Sequence, residues 1–332
     1  MLIPSCRRAV LALVAASLVA PLAQAQAPAA GSYPTKPVRI IVGFAAGAGP
    51  DILARLLAQK LSETWGNVGV IIDNKPGAGG VIAASEAARA APDGYTLLLG
   101  VTGNMVIAPA SYRNLPYDPA KDLVPVSQVV SNEFVLLTNP DKVPARNVKE
   151  FVAWSGKQPK GIFMGTFGAG TPGHFGAYIF GDAVNVKLDA VHYRNTSDAL
   201  GGLLSGDVHG MFGSVGVAAA NVKAGKLAAL AATGPARNPS LPEVPTMKEQ
   251  GYPELEITSW FGIMAPARTP EPVLAKLSAD LQRVVRSPEM RAKIEAAGFT
   301  ATGTTREEFA RIIAADGATW GKAVRATGFK AD

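Results

Sequence analysis

A strand, a glycine-rich loop and a helix follow one another over residues 38–61, and this stretch constrains the fold most. Four of the five residues 38–42 are Val or Ile, as expected for a strand covered on both faces. The sequence GFAAGAG then allows a tight turn, and apolar residues recur at helical spacing from 52 to 61. Free N–H groups that lead into a helix N-terminus form a site for anions. A tight βα turn without a ligand is an equally good interpretation of this stretch alone.

Composition limits the classes of protein to which the chain can belong. Its 332 residues are enough for one large or two ordinary α/β domains. Hydrophobic residues make up 48% and charged residues 17%, which is typical of a globular protein and not of a disordered one. The formal net charge is +6, but no run of five Lys or Arg residues occurs and aromatic residues make up only 7%. This pattern argues against a nucleic-acid-binding surface and is compatible with a small anionic ligand.

Residues 1–27 are predicted to be a secretory signal peptide. A pair of arginines precedes an apolar segment, 9–20, that is too short to span a bilayer. Cleavage is expected after Ala25 or Ala27, by the general or the twin-arginine export route, and leaves a net charge of +4. Cys6 is the one cysteine of the sequence and would be removed with this segment. We therefore expect a periplasmic protein without thiol or disulfide chemistry.

The rest of the sequence repeats the opening pattern. Strands are predicted at 68–73 and 95–99, with a helix at 81–90 between them. Together with the opening stretch they indicate an open, mostly parallel sheet, whose ligands bind at the carboxyl ends of the strands. A strand at 160–166, a second glycine-rich loop and a helix that ends near 182 repeat this order. The sequence thus predicts two similar α/β units, each with one glycine-rich loop.

The connections between these units are less regular. Residues 105–125 contain four prolines and are predicted to be irregular. Two extended runs within 126–138 are expected to carry the chain out of the first unit, and the apolar stretch 257–265 is expected to bring it back. A short helix is predicted at 246–250. Three further helices are predicted at 270–286, 288–297 and 305–326.

Motifs of cofactor and enzyme chemistry are present only in incomplete form. Gly168, Gly170 and Gly173 match the dinucleotide fingerprint, but a proline precedes the last glycine, where close helix–strand packing is needed. No glycine loop continues as a P-loop, and the three histidines lack metal-type spacing. Ser214 lies in a nucleophile-elbow-like sequence that has Phe in place of the first glycine. We predict no cofactor, no metal and no enzyme activity; the alternative is an exported hydrolase that uses Ser214 or His174.

Several longer segments resemble one family. The segments YPTKPVRIIVGFAAGAGPDILAR, IIDNKPGAGGVIAASEAARAAPDGYTLLLG, LPYDPAKDLVPVS, GTFGAGTPGH and SWFGIMAPARTP occur in this order. They resemble the extracytoplasmic solute-binding receptors of the Bug (TctC) family, which serve tripartite tricarboxylate transporters. The resemblance covers nearly all of the chain after the predicted signal peptide.

The resemblance implies an α/β protein with the type II periplasmic-binding-protein fold, in which two α/β domains surround a ligand cleft and are joined by crossover strands. Domain I is expected at 33–136 and 257–332, and domain II at 137–256. The implied function is capture of a small mono-, di- or tricarboxylate, an aromatic acid or an acidic amino acid by domain closure. The implied partners are the membrane subunits of the transporter, and we expect a monomer. A receptor that signals to a sensor protein is the alternative.

The resemblance also implies where the ligand binds. The contacts are expected in the two glycine-rich loops and at neighbouring strand ends. The candidate ligand-binding residues are Phe44, Ala45, Ala46, Gly47, Ala48, Gly49, Asp51, Val81, Thr102, Asn104, Thr166, Gly168, Ala169, Gly170, Thr171, His174, Tyr193, Asn195 and Ser214.

The sequence departs from the family pattern at three positions near these loops. Pro50 stands where the family has Ser or Thr, Asn195 where it has Gly, and Gly213 where Asp is common. We expect a pocket that is roomier near Gly213 and altered near Asn195. Asp51 repels an anion, so we expect it to cap the helix and shape the loop.

Overall fold

The structure, a computed structural model, describes residues 33–159, 161–194 and 196–332. The predicted signal peptide and Asn195 lie outside the described residues. The strands are β1 (Val38–Val42), β2 (Val70–Asn74), β3 (Thr96–Val101), β4 (Leu123–Thr138), β5 (Ile162–Thr166), β6 (Leu188–His192), β7 (Gly210–Ser214), β8 (Ala228–Ala232), β9 (Thr258–Pro266) and β10 (Thr300–Ala301). The α-helices are α1 (Gly49–Thr64), α2 (Val81–Ala88), α3 (Ala108–Ser111), α4 (Pro119–Asp122), α5 (Val148–Ser155), α6 (Pro172–Val184), α7 (Thr196–Ser205), α8 (Val215–Lys223), α9 (Glu271–Arg286), α10 (Pro288–Ala296) and α11 (Arg306–Thr327).

Strand β4 runs through two sheets. Its residues 123–133 pair with β9, which continues to β3, β1 and β2. Its residues 134–138 pair with β7 and β8, and β7 continues to β5 and β6. We call these the first sheet and the second sheet. The change of partner between Glu133 and Phe134 makes β4 a member of both.

The parallel strands of the two sheets point toward each other. β3 is antiparallel to β9, and β9 is antiparallel to β4, so β3 runs in the direction of β4, toward the second sheet, as do the parallel β1 and β2. β7 is antiparallel to β4, so it runs toward the first sheet, as do the parallel β5 and β6. The carboxyl ends of these six strands therefore face the boundary between the two sheets, which we call the junction. Ligands of open α/β sheets bind at such ends.

Apolar side chains cover both faces of the first sheet. Ile40 packs with α1 and α9 on one face, and Ile41 packs with α2 and α11 on the other. Successive strand residues point to opposite faces, so these neighbours belong to two separate cores. Phe175 of α6 is fully buried in the second core, together with Trp260 and Trp320. A helix that covers the second sheet is thus anchored in a core of the first.

The predicted α/β architecture and the order of its main strands and helices are confirmed, with three local corrections. The segment 105–125, predicted to be irregular, contains the end of a π turn (Gly103–Ile107) and the short helices α3 and α4. β4 is one strand rather than two extended runs, because β9 pairs along most of its length. Residues 246–250 form a turn and not a helix, since a bridge between Ala232 and Thr246 holds the start of this segment extended.

Candidate functional site

In the part of the chain that the structure describes, five helices follow strands that end at the junction; α2 and α7 follow the edge strands β2 and β6, and three follow inner strands. α1 follows β1 through residues 43–48, α6 follows β5 through residues 167–171, and α8 follows β7 directly. We call 43–48 the first loop and 167–171 the second loop. The first N–H groups of a helix have no partner within the helix, and the helix dipole places partial positive charge there. Three such helix ends at one junction can receive an anion without a cationic side chain.

Strand β4 fixes the spacing between the two sides of the junction. Val101, the last residue of β3, aligns with Phe261 and through it with Val130 of β4. Ser214, the last residue of β7, aligns with Phe134. Val130 and Phe134 are four residues apart on one strand, a distance of roughly 13 Å. This is the distance between the two strand ends along the direction of β4; sideways they are offset by the three inter-strand spacings from β3 to β7.

Asp51 determines the shape of the first loop. Its side chain is only 2% exposed, and its carboxylate accepts hydrogen bonds from the Gly47 N–H (2.8 Å), Arg55 Nε (2.9 Å) and Asn74 Nδ2 (2.9 Å). The hydrogen bond from Arg55 contributes most to lowering the pKa of Asp51, to about 2. Asn74 Nδ2 also donates to the Phe44 carbonyl (3.0 Å). The charge of Asp51 is thus used inside the loop, as expected from the sequence, but its partners do not include the first N–H groups of α1, so the expected helix capping is not found.

Thr171 and His174 hold the second loop. Thr171 Oγ1 donates to the Gly168 carbonyl (2.8 Å) and accepts from the His174 N–H (3.3 Å). His174 Nδ1 accepts from the Gly170 N–H (3.1 Å). His174 is 3% exposed; burial, and then the nearby His192, lower its pKa to about 4, so that the ring is neutral at pH 7. His174 supports the loop backbone through Nδ1.

Thr166 and Tyr193 lie at the ends of neighbouring strands β5 and β6. Thr166 Oγ1 is 2.7 Å from His192 Nδ1, and the Tyr193 N–H donates to the Thr166 carbonyl (3.0 Å). The Tyr193 hydroxyl lies so close to Gly202 that a Cβ there would be 2.1 Å from it. The Tyr193 ring therefore packs on α7.

Thr102, Asn104 and Val81 are buried at the ends of the first sheet. Thr102 Oγ1 accepts from the Trp260 N–H (2.9 Å) and so joins the end of β3 to β9. The Asn104 side chain accepts from the backbone at the end of β3 (2.9 Å) and donates to the Gly80 carbonyl (3.2 Å). These residues position the strand and helix ends that surround the junction.

Ser214 has a hydroxyl that is available to a ligand. It is the N-cap residue of α8, but its side chain makes no capping hydrogen bond, and the residue is half-buried at the junction. An N-cap hydroxyl usually bonds to the helix backbone. Here it stands next to the free N–H groups of α8, where it can donate to a bound anion.

Gly213 does not enlarge the junction, contrary to the expectation from sequence. A Cβ at this position would meet Leu137 Cδ1 at 2.9 Å and Val217 Cγ1 at 3.6 Å. A side chain here would point into the layer between β4 and α8, and the end of the Leu137 side chain would have to shift to admit it. Pro50 is buried in the first turn of α1, where its missing N–H costs no helical hydrogen bond.

Two phenylalanines, which the sequence did not indicate as site residues, lie against the helix starts. A Cβ on Gly49, the first residue of α1, would lie 3.1 Å from the Phe299 ring. A Cβ on Gly170 of the second loop would lie 3.4 Å from the Phe329 ring. Each phenylalanine is far from its glycine in sequence, so no local pattern connects them.

A cavity of about 810 Å³ lies away from the junction, between α6 and α11. Its lining includes Tyr178, Asp182, Lys187 and Lys322 and no residue of either loop. Within residues 33–159, 161–194 and 196–332, no group of His, Cys, Asp and Glu side chains is placed to hold a metal ion. None of the helices in these ranges is both long and apolar enough to cross a membrane.

Comparison with known proteins identifies the family. The family model described as Tripartite tricarboxylate transporter family receptor, TctC, matches residues 53–329. BugT of Bordetella pertussis is 31% identical over 302 residues, which cover 91% of this chain and 92% of BugT.

Solved structures of related proteins support the same family and show its fold. R. palustris Rpa4515, solved with adipate, is 31% identical, with a TM-score of 0.77 over 90% of this chain and 99% of that one. MatC (Rpa3494) from Rhodopseudomonas palustris, solved with bound malate, is 29% identical, with a TM-score of 0.73 over 88% and 100% of the two chains. The predicted periplasmic-binding-protein fold is thereby confirmed. The chain belongs to the TctC, or Bug, family of tripartite tricarboxylate transporter receptors.

Proposed function

We propose that the protein is a periplasmic receptor that binds a small organic carboxylate at the junction and delivers it to the membrane subunits of a tripartite tricarboxylate transporter. The observation that carries this proposal is the convergence of three helix N-termini, those of α1, α6 and α8, where the parallel strands of both sheets end. Adipate and malate in related structures support a carboxylate as the ligand.

The chemistry of the junction suits one carboxylate held by neutral donors. The N–H groups of the two loops and the hydroxyl of Ser214 would donate to its oxygens, and the helix dipoles would compensate its charge. Asp51 does not oppose this, because Gly47, Arg55 and Asn74 surround its carboxylate. Thr102, Asn104 and His174 would act by holding the surrounding backbone.

Domain closure is the proposed mechanism. Domain I would comprise 33–136 and 257–332, and domain II 137–256, with β4 passing between them. A close contact between Gly216 of α8 and Gly298 after α10 marks where the two parts approach: a Cβ on Gly298 would lie 3.4 Å from Gly216 Cα. A ligand that touches both loops would favour the closed arrangement, which the membrane subunits can distinguish from the open one.

A ligand screen tests the proposal. Malate, adipate, citrate, glutamate and benzoate are compared with neutral sugars and amines by thermal shift, followed by calorimetric titration. A ligand at one hundred times its Kd adds about 2.7 kcal/mol to the free energy of unfolding. We expect at least one carboxylate to stabilise the protein. Stabilisation by sugars or amines alone would refute the assignment.

A charge placed in the first loop provides the matched control. Ala46 is exposed in that loop and Ala292 is exposed on α10. Ala46→Asp should abolish carboxylate binding by repulsion, whereas Ala292→Asp, with the same charge change, should bind normally. Uptake of the labelled carboxylate by cells with and without the receptor then tests delivery to the transporter.

A further inference from the structure

Residues 328–332, which we call the strap, leave helix α11 and remain attached to the first half of the chain. Gly328 ends α11 with φ +66, a left-handed conformation that lets the backbone turn. The Ala331 N–H donates to the Ser111 carbonyl (2.9 Å), and the Asp332 carboxylate accepts from the Arg113 N–H (2.7 Å). Two backbone segments are therefore tied together next to the junction.

Phe329 of the strap reaches the second loop. Its ring centroid lies 5.3 Å from that of His174 and 5.7 Å from that of Phe175, both in edge-to-face geometry. A Cβ on Gly170 would lie 3.4 Å from the same ring. Edge-to-face pairs are attractive beyond the area that they bury. The strap is thus bonded to Ser111 and Arg113, and its Phe329 ring packs on the second loop.

His174 transmits this contact to the loop backbone. Its ring is also covered by Tyr178 and His192, at centroid distances of 5.3 and 4.4 Å. A ring enclosed in this way has little freedom, so its Nδ1 fixes the direction of the Gly170 N–H. Loss of Phe329 would leave one side of His174 uncovered.

We propose that Phe329 is a positioning residue for carboxylate binding: its ring holds His174, and through His174 the second loop, in the shape that receives the ligand. The inference rests on the proposed function, because only there is the second loop a ligand contact. Without the ring, the loop samples other shapes and has to be ordered when the ligand binds, which weakens affinity.

Hydrogen–deuterium exchange of the full chain without ligand tests the positioning role directly. Phe329→Ala is compared with the conservative Phe329→Leu and with Ile312→Ala, which truncates a residue of the same apolar cluster roughly 25 Å earlier along α11. We expect exchange in residues 166–175 to be about tenfold faster in Phe329→Ala only. Unchanged exchange in Phe329→Ala, or equal acceleration in Ile312→Ala, would overturn the proposal.

Titration with malate and adipate then measures the consequence for binding. Phe329→Ala should bind about five- to tenfold more weakly, while Phe329→Leu and Ile312→Ala should stay within about twofold of the unmodified protein. If the unmodified protein binds neither compound nor any other carboxylate of the screen, the proposed function fails and the exchange result still decides the role of Phe329. If it binds a carboxylate and Phe329→Ala binds equally well, the positioning proposal alone is wrong.

Discussion

The Gly47 N–H donates to Asp51 Oδ2 at 2.8 Å, so the loop proposed to receive an anion is itself folded around a carboxylate. The same oxygen accepts from Arg55 Nε, and the other oxygen accepts from Asn74 Nδ2. These partners compensate the negative charge of Asp51 locally. The carboxylate therefore does not occupy the outer N–H groups of the loop. Shape and charge of the first loop therefore depend on one buried side chain.

Asp51→Asn should lower the free energy of unfolding by about 2 kcal/mol at pH 7, less at high salt because the Arg55 side chain is 54% exposed. The folded-state pKa of Asp51 is about 2, below the ordinary 3.8, so its contribution is present above pH 4 and is lost as the pH falls through 2. Urea unfolding at several pH values should show the difference between the two proteins shrinking between about pH 4 and pH 2.

Glu63→Gln is the matched control for Asp51. Glu63 lies on the same helix and pairs with Lys60, but it is exposed. Exposed pairs contribute little to stability, so the unfolding midpoint of this variant should stay at that of the unmodified protein. A loss for Asp51→Asn that does not change with pH would contradict the role given to its charge.

Ser214→Ala should weaken carboxylate binding about five- to tenfold and leave stability unchanged, because the hydroxyl makes no capping bond. Ser287→Ala should do the opposite. Ser287 caps α10 through the Met290 N–H, so its loss should cost about 1 kcal/mol of stability without affecting binding. Calorimetric titration and urea unfolding of both variants separate the two effects. Equal binding by Ser214→Ala and the unmodified protein would remove Ser214 from the site.

Asp316→Asn should make the protein more stable than the unmodified form at pH 7. Asp316 Oδ2 accepts from Trp260 Nε1 (2.7 Å), and burial raises the pKa of this carboxyl to about 6. Its stabilising contribution is therefore complete below pH 4 and is lost as the pH rises through 6. Urea unfolding at pH 4 and pH 7 gives the measurement. Between these two pH values, the free energy of unfolding of the unmodified protein should fall by about 2 kcal/mol more than that of Asp316→Asn. Parallel pH profiles of the two proteins would contradict the assignment.

Gly216→Leu should weaken carboxylate binding about tenfold by holding the two halves apart. A Cβ on Gly216 would lie 3.8 Å from Gly298 Cα, an ordinary contact, so Gly216→Ala should bind normally. Leucine adds three carbons in the same direction and meets that backbone. Calorimetric titration gives the affinities, and small-angle scattering should give a larger radius of gyration for the leucine variant only. Equal affinity of both variants would exclude this contact from closure.

Local sequence patterns predict the elements that surround the junction. The β-branched run of β1, the glycines of the first loop and the apolar spacing of α1 are all local signals, and the structure has each of them. The loop-shaping role of Asp51 was also predictable, since an anion site excludes a free carboxylate. In contrast, β10 has only two residues and exists because Thr300 pairs with Ser131. Such a strand has no signal of its own.

The side chains of the candidate site were harder to predict, because their partners lie far away in sequence. Thr102 is bonded to Trp260, and the space beside Gly213 is filled by Leu137. Phe329 reaches Gly170 only because α11 runs along α6. Pairings of this kind follow from tertiary packing, which spacing and composition do not encode.

Because the two sheets have opposed directions, like poles of helix dipoles lie at the junction. α1, α6 and α8 present like poles to one another there, and partial positive charges that face each other repel. The repulsion favours separation of the two halves, whereas an anion between them attracts both. In the closure that we propose, this repulsion would favour the open arrangement when no anion is bound. The repulsion should weaken with ionic strength, since salt screens charges beyond about 8 Å at physiological concentration.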